Sequence, residues 1–245
     1  MVAEFIRRLR PNGGAEGTSD FNKRYSPYGD QSMQVVTPPA HRALLAEEGS
    51  YYTVTNPTPD TPVACGIIAA YVVTTPLFHI ANLEGAGGRN IILDYVKLRV
   101  TVAPASGVNA IYTVDVDSSP RVSTAPTGGS NRTVNNVNPS RANDFGGQVW
   151  AFTGGTVLTV MAGSNVRTIG HGAIAHSIPI AHDELLLTFG QPQSIGAPAT
   201  AVTRRVGNCP PVVIPPQCSA SIHIYFVSNA ATGLSAEYEM GLWQR

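Results

Sequence analysis

Lysine is nearly missing from this chain. Of 16 basic residues only Lys23 and Lys97 are lysines, and charged residues of either sign make up 13%, against about 25% in an average soluble domain. Basic and acidic residues balance at 16 each, so the formal net charge is zero. No overall field draws the chain to nucleic acid or to an anionic membrane, and direct nucleic-acid binding is not expected. No apolar run reaches the ~18 residues of a membrane-spanning helix. The basic opening MVAEFIRRLRPNGG lacks the apolar stretch that would follow it in an export signal, so synthesis in a cytoplasm and no membrane contact are the expectation.

Cysteine is scarce as well. Cys65, Cys209 and Cys218 are too few for a disulfide framework. Cys209 and Cys218 bracket PPVVIPPQ and could clamp it under oxidising conditions, with ordinary buried thiols the leading expectation in a reducing compartment. The nucleophile elbow G-x-S-x-G and the phosphate-binding G-x-x-x-x-G-K-[ST] are absent, and GAGG at 85 to 88 sits in a hairpin rather than before a helix. No catalytic, cofactor-binding or metal-binding residue is therefore nominated, and the chain is not expected to be an enzyme.

What is plentiful is glycine (24), proline (19) and β-forming runs. Alternation and β-branched content predict strands near 63–73, 77–83, 90–103, 109–117, 148–152, 156–161, 166–181, 184–190, 219–228 and 235–244. In IILDYVKLRVTV, strict alternation puts Ile92, Asp94, Val96, Leu98, Val100 and Val102 on one face and Ile91, Leu93, Tyr95, Lys97, Arg99 and Thr101 on the other. Asp115 and Asp117 in VDVDSS read as a strand turning outward to water. Near the end, Ile222, Ile224 and Phe226 alternate with His223, Tyr225 and Val227, and Tyr238, Met240 and Leu242 share a face.

Residues 1–50 differ from the body, 51–245. They are polar and punctuated by Gly and Pro, with no sustained period, and read as an extended arm. Phe5, Ile6, Leu9, Phe21, Tyr25 and Tyr28 are spaced along it as apolar anchors, with Arg7, Arg8 and Arg10 making its start locally basic. Such a segment cannot bury its anchors alone and needs a partner surface. HRALLAEE, stopped by Gly49, is the one helix expected. The run 126–147 reads as the longest loop and a candidate contact surface, carried by Asn131, Arg132, Asn135, Asn136, Asn138 and Arg141.

The stretch GHGAIAHSIPIAHDE brings His171, His176, His182 and Glu184 close in sequence. A cupin-type metal site needs its histidines on one strand face within reach of one ion. His176 and His182 share a face but stand about 20 Å apart along a strand, so surface or structural histidines are the better expectation.

Two segments together resemble jelly-roll structural proteins of tailed bacteriophage virions. One is ALLAEEGSYYTVTNPTPDTPVA followed by PLFHIANLEGAGGRNIILDYVKLRVTVAP, and the other is PPVVIPPQCSASIHIYFVSNAATGLSAEYEMGLWQR. The resemblance covers about residues 43–245. It implies an all-β, antiparallel jelly-roll-like sandwich acting as a minor capsid, decoration or cement protein, synthesised in the host cytoplasm and resident in the virion. The partners implied are the major capsid protein or other virion proteins, and other copies of the chain in a homotrimer. The arm would be the attachment device. Two other readings stand behind it: a host-surface or glycan-binding module of a tail or spike, and a cupin-like metal-dependent enzyme.

Overall fold

The computed structural model describes residues 22–24, 35–37, 41–64, 70–103, 110–120, 129–152, 158, 165–175, 180–190, 204–226 and 234–245. The chain divides into two compact units, Met1–Glu48 and Gly49–Arg245. In the first, β1 (Asn22–Arg24) pairs antiparallel with β2 (Val35–Thr37), Lys23 opposite Val36. Helix α1 spans His41–Glu48, where Ala43, Leu44, Leu45 and Ala46 are all good helix formers. Gly49 follows with φ at 82°, the left-handed conformation that ends a helix at little cost only in glycine. The anchors Phe5, Ile6, Leu9, Phe21, Tyr25 and Tyr28, and Arg7, Arg8 and Arg10, lie outside the described residues.

The second unit is a sandwich of two sheets. One runs β11 (Val166–Ala175), β7 (Ala110–Asp117), β15 (Ser219–Phe226), β5 (Phe78–Asn82), β10 (Gly147–Phe152), β8 (Gly129–Arg132). The other runs β13 (Arg204–Cys209), β12 (Glu184–Phe189), β6 (Ile91–Val102), β16 (Ser235–Gln244), β3 (Tyr51–Thr55), β9 (Asn135–Asn136), with β14 (Val213–Ile214) on β6 and β4 (Val63–Ala64) on β16. Every pairing is antiparallel except that of β12 with β13.

Four of these pairings are nested. β3 pairs β16, β5 pairs β15, β6 pairs β12 and β7 pairs β11. Among these eight strands the first meets the last, the second the second-last, and so inward, as in one long hairpin. Rolled up, the hairpin brings β16 beside β6 and β15 beside β7. This is the jelly roll, and the expected all-β, jelly-roll-like sandwich is what the chain forms. The segment between β7 and β11 adds β10 and β8 beyond β5 in one sheet and β9 beyond β3 in the other.

The core lies between the inner faces. Phe78, Ile80, Val114, Ile222 and Ile224 of one sheet meet Val54, Leu98, Val100, Tyr238, Met240 and Leu242 of the other. The long strand β6 departs from strict alternation. Ile91 and Leu93 point inward, and so do Val96, Leu98 and Val100. The switch is a bulge: Tyr95 faces Gly241 and Leu93 faces Leu242, leaving Asp94 without a partner on β16. The bulge aims the Asp94 carboxylate at the Tyr51 hydroxyl, which donates to it at 2.6 Å. Gly241 sits beneath this contact; a Cβ there would lie 2.4 Å from both Tyr51 Oη and Tyr95 Cε1.

Two expected strands overrun: residues 70–73 and 180–181 are not strand. β1, β2, β3, β8, β9, β13 and β14 form where none was expected. In 156–161 only Leu158 is described.

Candidate functional site

The candidate contact segment is structured over its described part, 129–147, in contrast to the long loop expected. It carries β8 and β9, and its asparagines explain the rest. Asn136 Nδ2 donates to the carbonyls of Gly49 (2.7 Å) and Ala142 (3.1 Å), and its backbone N–H to Asn143 Oδ1 at 2.9 Å. Asn138 N–H donates to Asn136 Oδ1 at 2.9 Å, Ser140 N–H to Asn138 Oδ1 at 3.0 Å, and Asn143 Nδ2 to the Val134 carbonyl at 2.6 Å. A short amide side chain can stand in for a missing strand partner in this way, which is why Asn collects in irregular backbone.

Six residues were expected to present this surface, and they divide evenly. Asn131, Asn135 and Arg141 are exposed, whereas Arg132, Asn136 and Asn138 are half-buried. Arg132 places its guanidinium 5.8 Å from the Tyr238 ring centre, a cation–π distance. The Arg141 stem packs over Gly49, where a Cβ would lie 2.4 Å from Arg141 Cγ.

Further hydrogen bonds and ion pairs fasten the segment to the sandwich. Arg89 pairs with Glu84 at 2.9 Å and with Asp144 at 3.3 Å. Tyr52 donates its hydroxyl to Asp144 Oδ1 at 2.7 Å. Gln244 donates to Glu84 at 3.0 Å and accepts from Gly146 N–H at 3.0 Å. Burial, and then the Asp144 carboxylate, push the Tyr52 hydroxyl up to about 12. The same hydrogen bond, with Arg89 nearby, holds Asp144 below the usual carboxylate range.

The histidine stretch does not converge. His171 is exposed on β11, with Nδ1 3.1 Å from Thr113 Oγ1. His182 is exposed at φ 75° in the turn before β12. Glu184 faces Arg99 and Arg204 across its strand neighbours, and His176 lies outside the described residues. Among the described residues no group of three or more His, Cys, Asp or Glu gathers where a metal could sit.

A polar cluster that sequence reasoning missed lies on the outer face of the six-stranded sheet. Asp115 and Asp117, expected to face water, are 0% and 3% exposed. Asp115 accepts from the Tyr71 hydroxyl (2.7 Å) and the Thr168 hydroxyl (2.8 Å), with His223 Nε2 at 3.0 Å. Burial opposes its ionisation, but the bonds from His223, Tyr71 and Thr168 outweigh that and hold the carboxyl below its ordinary range. Asp117 accepts from the backbone N–H of Ser119 and of Asn165. Two strands over, His79 Nε2 stands 3.1 Å from the Pro120 carbonyl and Nδ1 3.0 Å from Ser221 Oγ. A carbonyl only accepts, so Nε2 carries the proton and Nδ1 accepts from the Ser221 hydroxyl. This is the acid–base half of a nucleophilic site, but His79 and Ser221 are 0% and 1% exposed, and the pair acts here as a buried cross-strand tie.

The outer face of the eight-stranded sheet carries an open cleft of about 390 Å³ lined by Thr55, Asn56, Pro59, Lys97, Arg99, Glu237, Tyr238 and Glu239. Register sets Glu237 opposite Arg99 and Glu239 opposite Lys97. Lys97 Nζ lies 2.5 Å from Glu239 Oε2, and Arg99 3.4 Å from Glu237 Oε2. Tyr95 also donates to Glu239, and the Asp60 N–H to Glu237 Oε1 at 2.6 Å. Burial works against the Glu239 charge, yet Lys97 and Tyr95 leave its pKa lowered.

Cys209 and Cys218 are free thiols. A Cβ on Gly170, which faces Val114, would lie 3.6 Å from Cys209 Sγ, while Cys218 adjoins Ser219, which faces Asp117. About four residues of β7, roughly 13 Å at ~3.3 Å each, separate the two levels, beyond the ~7 Å limit for bridging. Burial pushes the Cys209 thiol up to about 11. Comparison with protein-family models, with curated proteins and with solved structures gives no match to this chain.

Proposed function

We propose that this chain is a non-enzymatic structural protein of a tailed bacteriophage virion, decorating or cementing an assembled capsid through its N-terminal unit and the surfaces of its sandwich. The observation that carries the reading is the nested jelly roll of Gly49–Arg245 preceded by a separate unit, Met1–Glu48. Jelly rolls serve viral capsids, lectins and cupins alike, so fold alone does not choose among them. Three features favour the first. The chain carries little charge, the sequence of the arm spaces apolar anchors among polar residues and glycines, and the described histidines stand apart instead of converging as a cupin metal site requires. A homotrimer that binds major capsid protein or another virion protein fits a low-charge β surface with area left to cover.

The test is mass spectrometry and imaging of whole particles, paired with a truncation that begins at Gly49. Every pairing of the two large sheets lies within residues 51–245, so the truncated protein should keep its β circular dichroism and lose particle binding. Trypsin should cut the free full chain at Arg7, Arg8, Arg10, Lys23 or Arg24 and spare those sites on particles. Particle binding by the truncated body equal to that of the full chain would move attachment to residues 129–147. Absence of the chain from purified particles would overturn the reading.

A further inference from the structure

We propose that the cleft on the outer face of the eight-stranded sheet is a binding site for an uncharged saccharide. The inference rests on the cleft alone and does not depend on where the protein resides.

The first ground is charge. Two cations and two carboxylates alternate across neighbouring strands, Lys97 with Glu239 and Arg99 with Glu237. The floor is therefore neutral in sum but strongly polar. A phosphate or nucleotide would meet a carboxylate beside each cation. A free metal cation would have to displace Lys97 and Arg99 from carboxylates they already neutralise. An apolar ligand would have to strip water from four charges. A neutral, hydroxyl-rich ligand meets none of these penalties.

The second ground is the distribution of unspent hydrogen-bonding capacity. Each of the four carboxylate oxygens accepts one protein donor: Asp60 N–H and Arg99 on Glu237, Tyr95 and Lys97 on Glu239. A carboxylate oxygen can accept two, so each retains a lone pair held in a fixed direction by the bond already made. Arg99 directs one N–H to Glu237 while its side chain stays 51% exposed. Lys97 keeps ammonium protons beyond the one given to Glu239. Within each ion pair donor and acceptor stand close, 2.5 Å for Lys97–Glu239 and 3.4 Å for Arg99–Glu237, so adjacent hydroxyls of one sugar ring can meet both, each giving one proton and accepting another.

The third ground is the shape of the cleft wall. Asn56 donates its amide hydrogens to the carbonyls of Thr58 (3.2 Å) and Thr61 (2.6 Å), which holds the turn that carries Pro59. Pro59 adds a flat apolar face of the kind that packs on sugar C–H groups. The volume, about 390 Å³, falls in the range of small-ligand sites, ~300–1,000 Å³.

Saturation-transfer NMR and titration calorimetry on the full chain test this, with maltotetraose, cellotetraose and chitotetraose as neutral probes and 3′-sialyllactose and a heparin tetrasaccharide as charged ones. At least one neutral probe should bind, and the charged ones should not bind more tightly. Glu237→Gln/Glu239→Gln should weaken binding roughly 10- to 100-fold, the effect of losing hydrogen bonds to charged groups. Arg99→Ala, at a side chain half in solvent, should weaken binding without a change in melting temperature and stands in if the double variant does not fold. Arg141→Ala, on a different surface, should bind like the parent. Failure of all three neutral probes at millimolar concentration, tighter binding of a charged probe, or undiminished binding by Arg99→Ala would each overturn the assignment.

Discussion

Asp115 is the side chain whose removal the sandwich should feel most. Its carboxylate is fully buried and receives the Tyr71 and Thr168 hydroxyls, with His223 at 3.0 Å. Asp115→Ala would take the acceptor from the Tyr71 and Thr168 hydroxyls and the carboxylate partner from His223, the last two residues on strands β11 and β15 that flank β7. Breaking a buried pair from one side costs about 3–5 kcal/mol. A change of 1 kcal/mol shifts the melting midpoint of a body of this size by about 2–4 °C, so a drop of roughly 6–20 °C is expected. Replacing both members with apolar residues, Asp115→Val/His223→Leu, should recover only the part of the loss due to His223, because the Tyr71 and Thr168 hydroxyls still lack their acceptor. Acid dependence gives an independent reading. The folded carboxyl titrates below the unfolded value near 4, so its contribution is complete above about pH 4 and drains away as pH falls through the lower folded value. Asp115→Ala should therefore flatten the acid limb of a stability–pH curve as well as lower it. Differential scanning calorimetry at neutral pH and at a series of acidic pH values measures both. A variant melting within about 2 °C of the parent, with an unchanged acid limb, would show that Tyr71, Thr168 and His223 do not depend on this carboxylate.

Arg89→Ala should loosen residues 135–146 without unfolding the sheets, seen as faster amide exchange there and unchanged exchange in β6 and β16. Its global cost should stay near 1 kcal/mol, since the Arg89 side chain is 40% exposed. Gly241→Ala should cost about 1–3 kcal/mol by overpacking, because the new methyl would press on Tyr51 and Tyr95 and disturb the Asp94 bulge; a thermal melt equal to the parent's would show that the tyrosines move aside freely.

The strands with clean alternation were legible in the sequence. β15 and β16 lie where Ile222, Ile224, Tyr238, Met240 and Leu242 place them, and helix α1 occupies HRALLAEE with Gly49 at its end. β6 was placed correctly, and so was its core face from Val96 through Leu98 to Val100, but Ile91 and Leu93 take the inward face before it, because one inserted residue at Asp94 inverts the parity and no local signal marks the insertion. β3 was missed although Tyr-Tyr-Thr-Val-Thr is rich in β formers, because five residues set between Gly49 and the prolines at 57, 59 and 62 show no sustained alternation. The buried polar face escaped for a different reason. Alternation reports which residues avoid the central core, and Asp115, His223, His79 and Ser221 do avoid it, yet they are buried on the far side of their own sheet. Asn131, Asn135, Asn136 and Asn138 were read as a surface for partners, while the side chains of Asn136 and Asn138 bond to backbone groups.

Strand β16 lies between β3 and β6, two strands that precede it in the chain by well over a hundred residues. A ribosome making this protein therefore exposes the first half of the eight-stranded sheet as two separated edges, and neither can close until residues 235–244 emerge. The gap is of strand width and fits any extended chain of suitable pattern. A polypeptide interrupted before residue 235 would present a ready slot to a neighbour's β16, and two such edges are templates for aggregation. Synthesis errors in residues 235–244 should thus be more damaging than errors of equal size anywhere in residues 1–48, and folding should be slow, since β3 and β16 must meet across a long separation before either is secure.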